Sequence, residues 1–246
     1  MVYILTAFNV LPLNALVCGT GESHSQPMKQ STQNANHNDV LGLLLAGGLS
    51  RRFGGGDKCL NVLSGRSLLE RVVVRAHPQV GTLILNANGD ASRFANVNLD
   101  PMPLIVADIA PGALGPLAGV LTGMAWARTH MRGARWVATF ATDAPFLPYD
   151  LIARLLMAAH QQGASIAIAS SNGRAHPVFA LWSMDLMDEL RVAVAEEGVR
   201  KVMTWVERHS VVEVDFAAEP IDPFFNINTP EDLARAEQFS EGLHGG

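Results

Sequence analysis

The sequence predicts an α/β fold: three layers, with a mostly parallel sheet covered by helices on both faces. Three observations carry that expectation. Short apolar runs of strand length alternate with longer stretches of helical periodicity, the pattern of successive βαβ units. The early runs are apolar at nearly every position, as expected of strands buried on both faces. The chain is also long enough for one large domain, with 246 residues, 48% hydrophobic and 17% charged.

Each element follows from local signals. Residues 40–46 form the first continuous apolar run, and a glycine- and arginine-rich stretch leads from it to Lys58. Residues 67–77 have helical spacing, with Leu68, Leu69, Val72 and Val73 on one side. Residues 82–85 and 104–107 read as two further strands. Pro116 opens a helix to about residue 131, since proline suits the first helical position. A strand at 136–141 runs toward Asp143, and a helix over 149–162 follows.

In the second half, residues 165–169 and 177–182 flank the turn dipeptide Asn172-Gly173 and read as paired strands. Helical stretches at 186–196 and 199–208 come next, then a strand at 211–214. Residues 224–227 precede a closing helix from Pro230, which Thr229 can cap and whose positive end suits Glu231 and Asp232. No internal repeat or linker divides the chain, so residues 39–246 are expected to form one domain.

The formal net charge of -5 argues against a nucleic-acid or anionic-membrane partner, because both need a basic surface. Two cysteines, Cys18 and Cys59, supply neither a disulfide framework nor a cysteine-based zinc site, and point to a reducing, cytoplasmic setting. Residues 1–38 are expected to be a disordered extension. Their first half is apolar but lacks an early Lys or Arg and is too short to span a bilayer. Two readings stay open there, a tail without function and a targeting signal, and Met28 offers an alternative start.

The segment Leu45-Ala46-Gly47-Gly48-Leu49-Ser50-Arg51-Arg52-Phe53-Gly54-Gly55-Gly56-Asp57-Lys58 holds the densest chemical information. Glycines after a buried strand let the backbone approach a ligand with its N–H groups. Arg51, Arg52 and Lys58 add cations suited to phosphate oxygens. The spacing excludes a P-loop, because Lys58 is followed by Cys59, and the adjacent Gly47 and Gly48 exclude the dinucleotide fingerprint. The alternative is a solvated loop. Its position at the carboxyl end of the first strand, where open α/β sheets bind ligands, favours a site.

Asp143 ends a buried strand, where a carboxylate can hold Mg2+ against phosphate oxygens or cap the next helix. Asn86 and Asp108 end two other strands and read as ligand contacts or as turn residues. No His/Cys cluster suggests zinc, and the sequence supports no Ser–His–Asp nucleophilic set.

Over residues 43–236 the chain resembles molybdenum cofactor guanylyltransferases, within the nucleotidyltransferases of glycosyltransferase-A-like, Rossmann-like fold. The loop above carries most of the likeness, with Phe53 where methionine is more usual. The elements Asp143-Ala144-Pro145-Phe146-Leu147-Pro148, Pro116-Leu117-Ala118-Gly119, His176-Pro177-Val178-Phe179-Ala180-Leu181 and Asn226-Ile227-Asn228-Thr229-Pro230-Glu231 add to it. Thr142 and Ala144 stand where the family often has Cys and Thr.

The resemblance implies that Leu45, Ala46 and Gly47 contact guanine and ribose, and that Arg52 and Lys58 embrace the triphosphate. It implies Asn86 and Asp108 near the nucleotide, Asp143 on Mg2+, and His176, Asn226 and Asn228 on the acceptor side. The implied reaction moves GMP from GTP to the phosphate of molybdopterin. Further partners implied are molybdenum-insertion proteins and apo-molybdoenzymes. A cytidylyl or sugar-phosphate nucleotidyltransferase and a non-catalytic pterin-binding adaptor are the alternatives. The doubled glycine favours guanylyl over cytidylyl transfer. The enzyme readings require Lys58 and Asp143 to face one another across a single cleft.

Overall fold

The computed structural model describes residues 36–46, 57–100, 102–109 and 115–244. In chain order, β1 (Val40–Leu45) precedes a small hairpin of β2 (Val62–Leu63) and β3 (Arg66–Ser67), then α1 (Leu68–Ala76), β4 (Thr82–Asn86) and β5 (Leu104–Val106). Helix α2 (Pro116–His130), β6 (Trp136–Ala141) and α3 (Leu151–Gln162) follow. The second half holds β7 (Ile166–Ser171), β8 (Arg174–Ser183), α4 (Met187–Ala195), α5 (Val202–Val206), β9 (Val211–Asp215) and α6 (Pro230–His244).

Seven strands form one sheet in the order β5-β4-β1-β6-β8-β7-β9. Only β8 runs against the others, so the sheet is mostly parallel as expected. β1 is buried because its two faces feed two cores. Val40 and Leu44 pack beneath α1 and α3, while Leu41 and Leu43 pack beneath α2, α4 and α5. The Asn172-Gly173 turn joins β7 to β8 with φ of 50° and 70°, the left-handed pair that a tight hairpin demands.

Two helix starts show how the sequence sets these elements. Ser67 caps α1 through a reciprocal box: its hydroxyl accepts from the Glu70 N–H at 3.2 Å, and Glu70 accepts from the Ser67 N–H at 2.6 Å. Such a box stabilises a helix by about 1 kcal/mol. Helix α2 lies unusually close to the sheet. A Cβ at Gly119 would stand 2.5 Å from Leu45 Cδ2 and 2.7 Å from Asn86 Oδ1, so no other residue fits without displacement.

From β1 the chain steps outward to β4 and β5, then α2 returns it to β6 on the other flank of β1. In such sheets a reversal of this kind marks the crevice where ligands usually bind, here at the carboxyl ends of β1 and β6. The strands and helices read from sequence all appear, most within a residue or two. The 199–208 stretch is shorter than expected, with only Val202–Val206 helical. Gly198 ends the preceding region at φ 70°, and Arg200 turns back to the Val194 carbonyl. The segment ahead of α6 turns at Asp222–Phe225, where the Phe225 N–H bonds Asp222 O at 3.1 Å, and has no regular secondary structure from there to Asn228. No described helix is long and apolar enough to cross a membrane.

Candidate active site at the carboxyl ends of the parallel strands

Three distant segments meet at the crevice beside β1 and β6. Lys58 Nζ donates to Asp143 Oδ2 and to the side-chain oxygen of Asn228, partners 85 and 170 residues away in sequence. Lys58 and Asp143 are partly exposed, at 19% and 22% of their side chains, so the pair is open to a ligand.

Each of the three is held by local chemistry. Lys58 begins a single helical turn, Lys58–Leu60, closed by Leu60 N–H to Asp57 O at 3.0 Å and Asn61 N–H to Lys58 O at 3.2 Å. Cys59 plugs that turn into the core at 3% exposure. Burial, first, and the neighbouring Asp57 carboxylate push its thiol up to about 12, so it stays an inert anchor. Asp143 follows β6, where the Thr142 hydroxyl ties the chain to Leu45 O at 3.2 Å. The next helix, α3, has Asp150 and not Asp143 at its N-cap position, so Asp143 is free of that duty.

Asn228 is fixed from both sides. Ile227 N–H donates to Asp143 O at 2.9 Å, and Asn228 N–H donates to Asp232 Oδ2 at 3.0 Å. Asp232 also accepts from Thr229 N–H at 3.1 Å, while the Thr229 hydroxyl accepts from Asp232 N–H at 3.2 Å. The capping motif of α6 therefore sets the rotation of Asn228 toward Lys58.

A second polar group lies at the ends of β4 and β5. Asp108 Oδ1 accepts from Asn86 Nδ2 at 2.9 Å, and its Oδ2 from Asn88 Nδ2 at 2.6 Å. Asp108 N–H returns a bond to Asn88 Oδ1 at 2.9 Å. Asn86, 6% exposed, also donates to Val106 O at 3.1 Å. Arg93 joins the two groups: its guanidinium donates to Asn88 O at 2.5 Å and its Nε lies 2.9 Å from Asp57 Oδ2.

Of the residues expected from sequence, the structure gathers Lys58 and Asp143 into one contact and Asn86 and Asp108 into another. Leu45 and Ala46 end β1 beside them, with Ala46 N–H bonded to Asn86 O at 3.0 Å. Gly47, Arg51 and Arg52 lie outside the described residues, as does Cys18. Sequence reasoning missed Asn88, Arg93, Ser171 and Asp222; His176, expected on the acceptor side, lies against the Ser171 hydroxyl, which also bonds Asp222. Asn88 sits two residues past Asn86, at a strand end, and that placement was its available signal. Arg93 and Asp222 had none, because only the folded chain brings them to their partners.

The Asp143 carboxylate and the Asn228 amide oxygen converge on a single cation, here the Lys58 ammonium. Oxygen donors of that kind suit a hard divalent ion that keeps waters and substrate oxygens. Among the described residues, no three His, Cys, Asp or Glu side chains cluster closely enough to hold a metal unaided. A metal here would depend on phosphate oxygens for the rest of its shell.

Residues 42–212 match the MobA-like NTP transferase domain. A molybdenum cofactor guanylyltransferase of Bradyrhizobium sp. (strain ORS 278) is 48% identical over 201 residues, spanning 82% of this chain and 93% of that protein. One from Rhodopseudomonas palustris (strain BisB5) is 48% identical over 206 residues, spanning 84% and 96%. Among solved structures, molybdopterin-guanine dinucleotide biosynthesis protein A from Archaeoglobus fulgidus superposes with a TM-score of 0.65 at 26% identity, over 82% of this chain and 99% of that one. With its fold, its crevice and these likenesses in agreement, this chain belongs to the molybdenum cofactor guanylyltransferases, a family of MobA-like nucleotidyltransferases.

Proposed function

We propose that this protein transfers GMP from GTP to the terminal phosphate of molybdopterin, releasing pyrophosphate. One observation carries the reading: Lys58 bridges Asp143 and Asn228 at the crevice beside β1 and β6. Full-length relatives that share 48% of the sequence carry the guanylyltransferase name.

The chemistry asks little of a general base. A phosphate oxygen of the acceptor, already anionic, attacks the α-phosphorus in line. The bond from the α-phosphorus to the bridging oxygen breaks, and pyrophosphate leaves with that oxygen and its electron pair. The protein contributes position and charge. Lys58 leaves its carboxylate to neutralise phosphate oxygens, and the N–H groups and Arg52 of the loop that includes Gly47 hold the same triphosphate. Leu45 and Ala46 flank the base, and Asp108, steadied by Asn86 and Asn88, bonds the nucleoside. Asn228 and Asn226 face the acceptor. Mg2+ on Asp143 and the Asn228 oxygen would offset charge developing between the phosphates.

Residues 39–246 are the catalytic unit in this reading. Its setting is the cytoplasm, and its product passes to molybdenum-insertion proteins or apo-molybdoenzymes. Pyrophosphate release, measured with molybdopterin, Mg2+ and GTP, CTP or UTP in turn, tests the assignment. GTP is expected to be the preferred donor. Preference for CTP or UTP, or pterin binding without turnover, would refute it.

A further inference from the structure

Ser171, His176 and Asp222 form a polar cluster on the β7–β8 side of the crevice that the reaction above leaves unused. Ser171 Oγ lies 2.7 Å from His176 Nε2 and 2.9 Å from Asp222 Oδ1. These are the residue types of a hydrolytic triad, but their order excludes one. In a triad the imidazole stands between hydroxyl and carboxylate. Here the hydroxyl stands between the other two, and Ser171 is 1% exposed.

The proton count fixes the direction of both bonds. Asp222 Oδ1 accepts from the Phe224 N–H at 2.9 Å as well as from the Ser171 hydroxyl. A serine hydroxyl has one proton, and Ser171 gives it to Asp222. Ser171 Oγ can then only accept from His176, so Nε2 carries the ring hydrogen. Burial lowers the His176 pKa below its usual value; Asp222 opposes this and Arg174 adds to it. The ring is therefore neutral near pH 7, with a bare lone pair on Nδ1. Nδ1 has no hydrogen-bond partner among the described residues.

The backbone places this ring deliberately. β8 pairs Ala180 with Ile168 and His176 with Ala169, so three residues of β8 bulge out opposite one step of β7. Pro177 has no N–H to lose from the ladder there. Bulges of this kind re-aim side chains beside functional clefts. His176 also packs on Phe224, with ring centroids 4.8 Å apart. Phe224 belongs to the segment that bonds Asp143 through Ile227 and supplies Asn228. The nucleotide-side group, Asn86 and Asp108, lies on strands beyond the opposite flank of β1. The ligand facing His176 is then the acceptor.

We propose that Asp222 and Ser171 are positioning residues that hold His176 as the Nε2–H tautomer, so that Nδ1 accepts a hydrogen bond from a ring or amino N–H of the pterin. This rests on the guanylyl-transfer reading above. A neutral acceptor atom selects an N–H donor and disfavours a phosphate or carboxylate, which offers no proton and would face the lone pair.

The test is 15N-histidine labelling of the full chain, with two-bond proton–nitrogen correlations read near pH 7.5 without substrate. Comparison with His176→Gln assigns the signal. The wild type is expected to show Nε2–H, and Ser171→Ala to lose that preference while Ser171→Thr keeps it. In pyrophosphate-release assays Ser171→Ala should raise KM for molybdopterin about three- to tenfold, the worth of one hydrogen bond. kcat and KM for GTP should stay within about twofold, and Ser171→Thr should restore the acceptor KM. An Nδ1–H or charged ring in the wild type, or an unchanged acceptor KM in Ser171→Ala, would overturn the proposal. The two readings fail separately: a wild-type protein that releases no pyrophosphate refutes guanylyl transfer, whereas the tautomer is read with no substrate present.

Discussion

Asp143 and Asp108 are both carboxylates at the carboxyl ends of parallel strands, yet their surroundings are opposite. Asp108 accepts one asparagine amide on each oxygen and returns a backbone bond to one of them. The Thr122 hydroxyl stands 3.4 Å from its Oδ1 as well. Among the described residues, Asp143 has one side-chain partner, the ammonium of Lys58, and that lysine is shared with Asn228. A carboxylate spanned by fixed neutral donors is architecture, because removing a partner strands a buried polar group. A carboxylate held by a movable cation can exchange that partner for a ligand at small cost, since partly exposed ion pairs contribute about 0–1 kcal/mol. The same residue type is thus held by fixed neutral amides at one strand end and by an exchangeable cation at another.

Substitution of the two aspartates should separate these roles. Asp143→Asn is expected to cut pyrophosphate release about a thousandfold, as loss of a key electrostatic group does. Its unfolding free energy, from urea titration, should stay within about 1 kcal/mol of wild type. A strongly destabilised Asp143→Asn protein would erase the contrast. Asp108→Ala should show the smaller, structural effect. It leaves the amide of buried Asn86 short of a partner, so the urea midpoint should fall by the equivalent of about 1–3 kcal/mol. An unchanged midpoint would show that the asparagines find other partners and that Asp108 is no keystone.

The parts of the molecule legible in the sequence are those built from short-range rules. The apolar run that became β1, the Ser67–Glu70 box and the Asn172-Gly173 turn depend on neighbours within a few residues. The small hairpin at Ser64-Gly65 escaped because two-residue strands carry no periodicity. In the site, Lys58 and Asp143 stood out because charge followed apolar strands, although nothing in their spacing foretold their contact. Ser171 and Asp222 could not be seen as a pair: 51 residues separate them, and an isolated serine or aspartate reads as a turn. Sequence therefore reveals strand ends that can hold ligands, while the proton and charge bookkeeping between them emerges only in the folded chain.

The Lys58 ammonium is expected to move from Asp143 to the triphosphate during guanylyl transfer. Single-turnover pyrophosphate release by Lys58→Ala, at saturating GTP and molybdopterin, tests it most directly. A loss of about a hundredfold or more, with an unaltered far-UV spectrum and urea midpoint, is the expected result. Turnover at the wild-type rate would contradict it.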